Sequence, residues 1–184
     1  KAAFIGCSDA GEITNEGPTT KSVAVMTIKA DNIKFTTGLG ANIKSGAREA
    51  GQAVAREVKE KAPEPFKVFV MLPDVLTGNG AETVRGVLDI LGSHFPVVGG
   101  AAGDDFLFQK TYQYRDGAVE TGAVAGVGLS GKFSIGMGVR HGWIPIGIPM
   151  KVTKSEGAVV HELDGRPAIS IYEDYFGEKA EELK

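Results

Sequence analysis

Apolar positions along the chain repeat with two periods. Between residues 45 and 62, Ala47, Ala50, Gly51, Val54, Val58 and Ala62 are spaced by three and four, while Arg48, Glu49, Arg56, Lys59 and Glu60 fall elsewhere. That spacing predicts a helix with one buried face. Ser45 suits its N-cap, and Pro63 and Pro65 stop it. A second stripe, Ala81, Val84, Val87, Leu88 and Leu91, predicts a helix beginning at Asn79 or Gly80. Pro167 suits the first position of a third helix over residues 168–176. Shorter runs read as strands: residues 2–6, residues 20–29 with Val23, Val25 and Thr27 alternating, and residues 33–37 after a turn at Asp31-Asn32. Residues 66–72 form a run short enough for a buried strand, broken at Pro73-Asp74, and residues 95–98 form another. Beyond residue 107 the pattern predicts hairpins. Residues 108–115 and 118–129 flank Asp116-Gly117, Ser130-Gly131 separates 124–129 from 133–140, and 149–155 and 158–163 flank Glu156-Gly157. Asp164-Gly165 reads as a turn, and residues 177–184 as a frayed polar end.

This order predicts an α+β fold, a mixed α/β sandwich with a mixed, largely antiparallel sheet or sheets packed with about three helices. With no fixed-period repeat and no Pro/Ser-rich linker, residues 1–184 read as one domain. Apolar residues make up 42% and charged residues 23%, so the chain is globular rather than disordered. A net charge of -3 gives no reason to expect nucleic acid. Cys7 is the only cysteine, which rules out an internal disulfide and a four-cysteine metal site. The apolar runs fall short of the roughly 20 residues a bilayer demands, so no membrane insertion is expected. No signal peptide is visible and Lys1 reads as a start inside a longer protein, making a reducing cytoplasm the expected setting. The 26 glycines in 184 residues are roughly twice the usual share. They point to tight turns and close backbone approaches, between strands or to a ligand.

Several motifs offer chemistry. Residues 126–131 match G-x-G-x-x-G, but the stretch that follows reads as a strand where a dinucleotide site needs a helix N-terminus. Phe133 also stands where a phosphate loop needs Ser or Thr. A glycine-rich hairpin turn is the favoured reading. Cys7-Ser8-Asp9 suggests a nucleophile, yet no spacing brings His94, His141 or His161 to it as a base. The histidines show no helical ligand pair for a metal. His141-Gly142-Trp143 puts the only tryptophan beside a histidine at a strand end, as a pocket wall or a packed turn. In residues 99–105, Gly99, Gly100 and Gly103 free the backbone to turn amides toward an anion, and Asp104 and Asp105 supply acceptors for an amine. Together these suit a zwitterion such as an amino acid; the competing reading is an Asx-capped turn.

Taken in order, these segments resemble the FIST family. Gly6-Cys7-Ser8-Asp9-Ala10-Gly11-Glu12-Ile13 looks like its opening element, and residues 95–105 resemble its central glycine-rich signature. Gly126-Val127-Gly128-Leu129 with His141-Gly142-Trp143, and Leu163-Asp164-Gly165-Arg166-Pro167-Ala168 with Tyr172, are similar to its later elements. The resemblance implies a non-enzymatic intracellular sensor of a small ligand, with an amino acid as first candidate. Its output would run through a histidine kinase, chemoreceptor or diguanylate cyclase. It implies that residues 164–184 lead into a companion C-terminal domain that is mostly absent. Ligand-binding residues are expected at Cys7, Ser8, Gly99, Gly100, Asp104, Asp105, His141 and Trp143. No cofactor or metal is expected. The alternatives are haem-based nitric-oxide sensing through His141 or His161, and a protein-interaction platform.

Overall fold

The computed structural model describes residues 2–177, within which the chain divides into two compact units, one ending at Met137 and the other beginning at Gly138. The expected fraying of residues 177–184 falls, apart from Gly177, outside the described residues. No helix among the described residues is long and apolar enough to cross a membrane.

The first unit opens with three short strands, β1 (Ile5–Cys7), β2 (Glu12–Thr14) and β3 (Gly17–Thr19). There follow β4 (Ile33–Gly40), α1 (Ala47–Lys61), β5 (Phe66–Pro73), α2 (Gly80–Leu91) and β6 (Val97–Gly99). The unit is completed by β7 (Gln113–Arg115), β8 (Ala118–Glu120) and β9 (Val124–Gly131). Its central sheet runs β4-β9-β5-β6, with β5 antiparallel to β9 and parallel to β6. A second sheet runs β1-β7-β8 and a hairpin pairs β2 with β3. The second unit holds β10 (Val152–Glu156), β11 (Val159–Leu163), β12 (Arg166–Pro167) and α3 (Ser170–Phe176). Mixed and antiparallel sheets with three helices among the described residues make this the α+β fold expected from the pattern.

Both main helices lie against one face of the central sheet. Val54, Val58, Phe66, Phe69, Met71, Val87 and Val124 form the core there. Glycine lets the layers close. On the α1 side of the sheet stand Gly38, Gly40, Gly126 and Gly128, and a methyl group on Gly40 would lie 2.0 Å from the Ala50 carbonyl oxygen. Where the helices cross, a methyl on Gly51 would lie 2.1 Å from the Thr83 oxygen, and one on Gly86 2.0 Å from the Arg48 oxygen. The G-x-G-x-x-G stretch is therefore neither a phosphate loop nor a hairpin turn. It is one continuous strand, β9, whose glycines seat a helix.

Other expectations shift locally. Asn79 caps α2 as its sequence suggests, accepting from the Ala81 and Glu82 amides. Helix α1 instead starts after Gly46, and the Ser45 hydroxyl donates to the Asn42 carbonyl. The strand expected over residues 118–129 is broken at Gly122, whose φ of 59° sends β8 and β9 into different sheets. The buried carboxylate of Asp74 fixes that break, accepting from the amides of Gly122 (3.1 Å), Leu76 (2.8 Å) and Thr77 (3.1 Å) and from the Thr77 hydroxyl (2.9 Å). Residues 2–6 and 108–115 contribute only the short β1 and β7. Residues 20–29 and 133–140 lie in no sheet. The hairpin about Gly157 forms, whereas Pro167 belongs to β12 and α3 begins later, at Ser170.

Candidate functional site

The helices cover one face of the central sheet and leave the other for a cleft. Strand alternation puts Phe35 and Thr37 of β4, Val127 and Leu129 of β9, and Val70 and Leu72 of β5 on that face. The register aligns Thr37, Val127 and Val70 in a row across three strands. The opposite wall comes from Phe4, β1 and residues 21–26 with Ile28. Between them is a cleft of about 950 Å³. Its volume is at the upper end of small-molecule sites.

Polar groups are few and carry both charges. Asp9, Glu12 and Asp105 bring carboxylates to the wall, Lys21 an ammonium, and Tyr114 a phenol. Glu12 is nearly buried and accepts from the Ser22 hydroxyl. Asp116, in the β7–β8 turn, accepts from the Phe4 amide at 2.9 Å and from the Thr37 hydroxyl, tying one wall to the floor.

Two of the sequence candidates, the loop at Cys7 and Ser8 and the loop at residues 99–105, do meet. The Ser8 hydroxyl donates to the Gly103 carbonyl (2.7 Å) and accepts from the Tyr112 amide (2.9 Å). The Gly103 amide donates to the Ser8 carbonyl (2.9 Å), and the Asp105 amide to that of Asp9 (3.3 Å). Cys7, Ser8 and Asp105 line the cleft. Burial, and then the charge of Asp9, raise the Cys7 pKa above its ordinary value, so the group stays a thiol near neutral pH. Gly99 serves a close approach to β5, since a methyl there would sit 1.8 Å from the Met71 carbonyl oxygen. The Gly100 and Ala102 amides donate to the Met71 and Pro73 carbonyls. Of the amides expected to face an anion, those of Gly100 and Gly103 are thus used within the protein. Asp104 caps its own loop, accepting from Gln109 (2.6 Å), Lys110 (3.0 Å) and Phe108 (3.0 Å) amides. The first two of these bonds do most to hold its pKa below the ordinary value.

His141 and Trp143 belong to the second unit, both exposed and outside any sheet, with Trp143 at 85% exposure. His161 lies on β11, its Nε2 4.0 Å from a Glu156 carboxylate oxygen. No histidine lines the cleft, and no three potential metal ligands cluster among the described residues. Sequence reasoning missed Asp74, Asp116, Tyr114 and the sheet floor. An Asp following Pro73 and preceding Thr77 by three is a readable Asx-turn signal for the first; Asp116 was read only as turn chemistry.

The FIST N domain family model matches residues 1–166. An uncharacterized protein of Methanocaldococcus jannaschii is 30% identical over 182 residues, covering 95% of this chain and 35% of that protein. Uncharacterized proteins from two strains of Mycobacterium tuberculosis are 41% identical over 73 residues, 40% of this chain and 19% of each of theirs. The chain thus spans about a third or less of the relatives' length.

Proposed function

The chain belongs to the FIST N domain family, a family of signal-transduction sensors, and from that premise we propose that it is a non-enzymatic module that senses a small ligand in the cleft on the open sheet face. The observation that carries this reading is the cleft itself, a mostly apolar hollow of about 950 Å³ with carboxylates and the Lys21 ammonium in its wall. An apolar body with a charged amine and carboxylate, as in a larger amino acid, matches that lining. A non-catalytic role agrees with a protonated Cys7, a Ser8 hydroxyl engaged in two hydrogen bonds, and a lining without an imidazole base. The same lining offers haem no imidazole. Output through a kinase, chemoreceptor or cyclase in the cytoplasm would follow from a ligand-dependent population shift, no larger than the ligand's differential affinity for the two states.

Thermal-shift screening against the amino acids tests the reading. A ligand at 100 times its dissociation constant stabilises by about 2.7 kcal/mol, or roughly 5–11 °C for a chain of this size. A panel that leaves the melting temperature unmoved throughout contradicts it.

One observation favours a second role as an interaction platform: Trp143, Ile144, Ile146 and Ile148 are each more than 80% exposed. Exposed apolar runs of this kind mark surfaces for other proteins. Loss of self-association or partner binding in Trp143→Ser with Ile146→Ser would support it.

A further inference from the structure

The segment walling one side of the cleft has the chemistry of a strand and, among the described residues, no strand partner. Residues 21–31 make no main-chain hydrogen bond among the described residues, and Val23, Val25 and Met26 are 87%, 72% and 83% exposed. At its start the Ser22 hydroxyl holds it to Glu12. At its end it enters β4 through Asp31-Asn32.

Strand β4 is an edge of the central sheet, bonded only to β9. The Lys132 amide reaches the Asn32 carbonyl, and the Leu39 amide turns outward to Glu57. Even-numbered positions of β4 therefore bond to β9, and odd ones, Ile33, Phe35 and Thr37, present their amides and carbonyls outward. A two-residue loop at Asp31-Asn32 would make Ala30 and Ile33 the closing hydrogen-bonded pair, followed by Ile28 with Phe35. The parity required by the loop is the parity the edge presents. Met26 would stand opposite Thr37, and there Asp116 and Glu57, bonded to Thr37 and Leu39, end the available edge.

Residues directly opposite in such a ladder share a face. Ile28 would then lie beside Phe35 on the cleft floor instead of walling the cleft. Between the two bonded pairs, Lys29 would face Lys34, and like charges opposed in this way disfavour the pairing.

We propose that residues 23–30 are a strap that exchanges between walling the cleft and adding to the free edge of β4 as a fifth strand, and that this exchange controls entry to the cleft. The control of entry rests on the ligand-binding reading above; the exchange itself does not.

Amide hydrogen exchange on the unliganded chain tests it. In Lys34→Glu, which turns repulsion into attraction, the amides of Ile28, Ala30 and Phe35 slow by about tenfold while those of Thr27 and Lys29 do not. Independently, Lys29→Cys with Lys34→Cys in a Cys7→Ser background forms a disulfide faster than the out-of-register pair Thr27→Cys with Lys34→Cys. Exchange that stays uniform along the strap, or equal oxidation of the two pairs, overturns the proposal. Neither measurement uses a ligand, so failure of the thermal-shift screen and failure of the strap are read separately.

Discussion

Replacing Gly86 with alanine sets two effects of opposite sign against each other. Gly86 lies inside α2, where helix propensity alone favours alanine by about 1 kcal/mol. The new methyl, however, would stand 2.0 Å from the carbonyl oxygen of Arg48 and 3.0 Å from the amide nitrogen of Gln52 on α1. Normal contact needs well over 3 Å, and the atoms it meets are helix backbone that cannot rotate away. The helices must separate, and overpacking of this kind costs about 1–3 kcal/mol or more. The same separation loosens Val54 and Val87 in the core between helix and sheet. A backbone contact this close puts the cost at the upper end, about 3 kcal/mol or more, so Gly86→Ala should destabilise by about 2 kcal/mol or more net once the propensity gain of about 1 kcal/mol is subtracted. Urea unfolding measures this, with Gly100→Ala as control, because nothing lies within 4 Å of that position; the control should stay within about 0.5 kcal/mol. A Gly86→Ala protein more stable than the parent would refute the close-crossing account of the glycine content.

Three further outcomes follow from the structure. Asp74→Ala strips four donors of their buried acceptor and should cost about 2–4 kcal/mol in urea unfolding. Asp89 is held at a pKa of about 2 by its bond to Arg48 and then by Gln52. Because that value lies below the ordinary one, the stabilisation is complete above about pH 4. It fades as pH falls toward 2, and Asp89→Asn should flatten this part of the pH–stability curve. Cys7, with its raised pKa, should react with iodoacetamide at pH 8 more slowly than a free cysteine, and equal rates would count against its buried position.

Much of the fold was legible because periodicity reports burial directly. The stripe in α2 and its Asn79 cap needed only local rules, and so did the hairpin at Gly157. What escaped depends on contacts distant in sequence. Val23, Val25 and Thr27 alternate as a strand should, but alternation does not supply a partner, and residues 21–31 have none among the described residues. Gly126 and Gly128 matched a nucleotide motif because small residues serve both phosphate approach and helix seating; only the position of α1 separates the two. At the site, the loops at Ser8 and at residues 99–105 were each expected to bind a ligand, but the bond that joins Ser8 to Gly103 depends on a contact 95 residues away and was not legible. Nor was the role of Asp104, since a carboxylate that caps its own loop looks in sequence like one free to bind an amine.

The most direct test of the central claim is methyl NMR of the chain titrated with a panel of amino acids. The account predicts saturable shifts concentrated at Val70, Leu72, Val127 and Leu129 on the cleft floor. It is contradicted if no amino acid moves those methyls, or if the responding methyls are instead Val54, Val58 and Val87 on the helix-covered side.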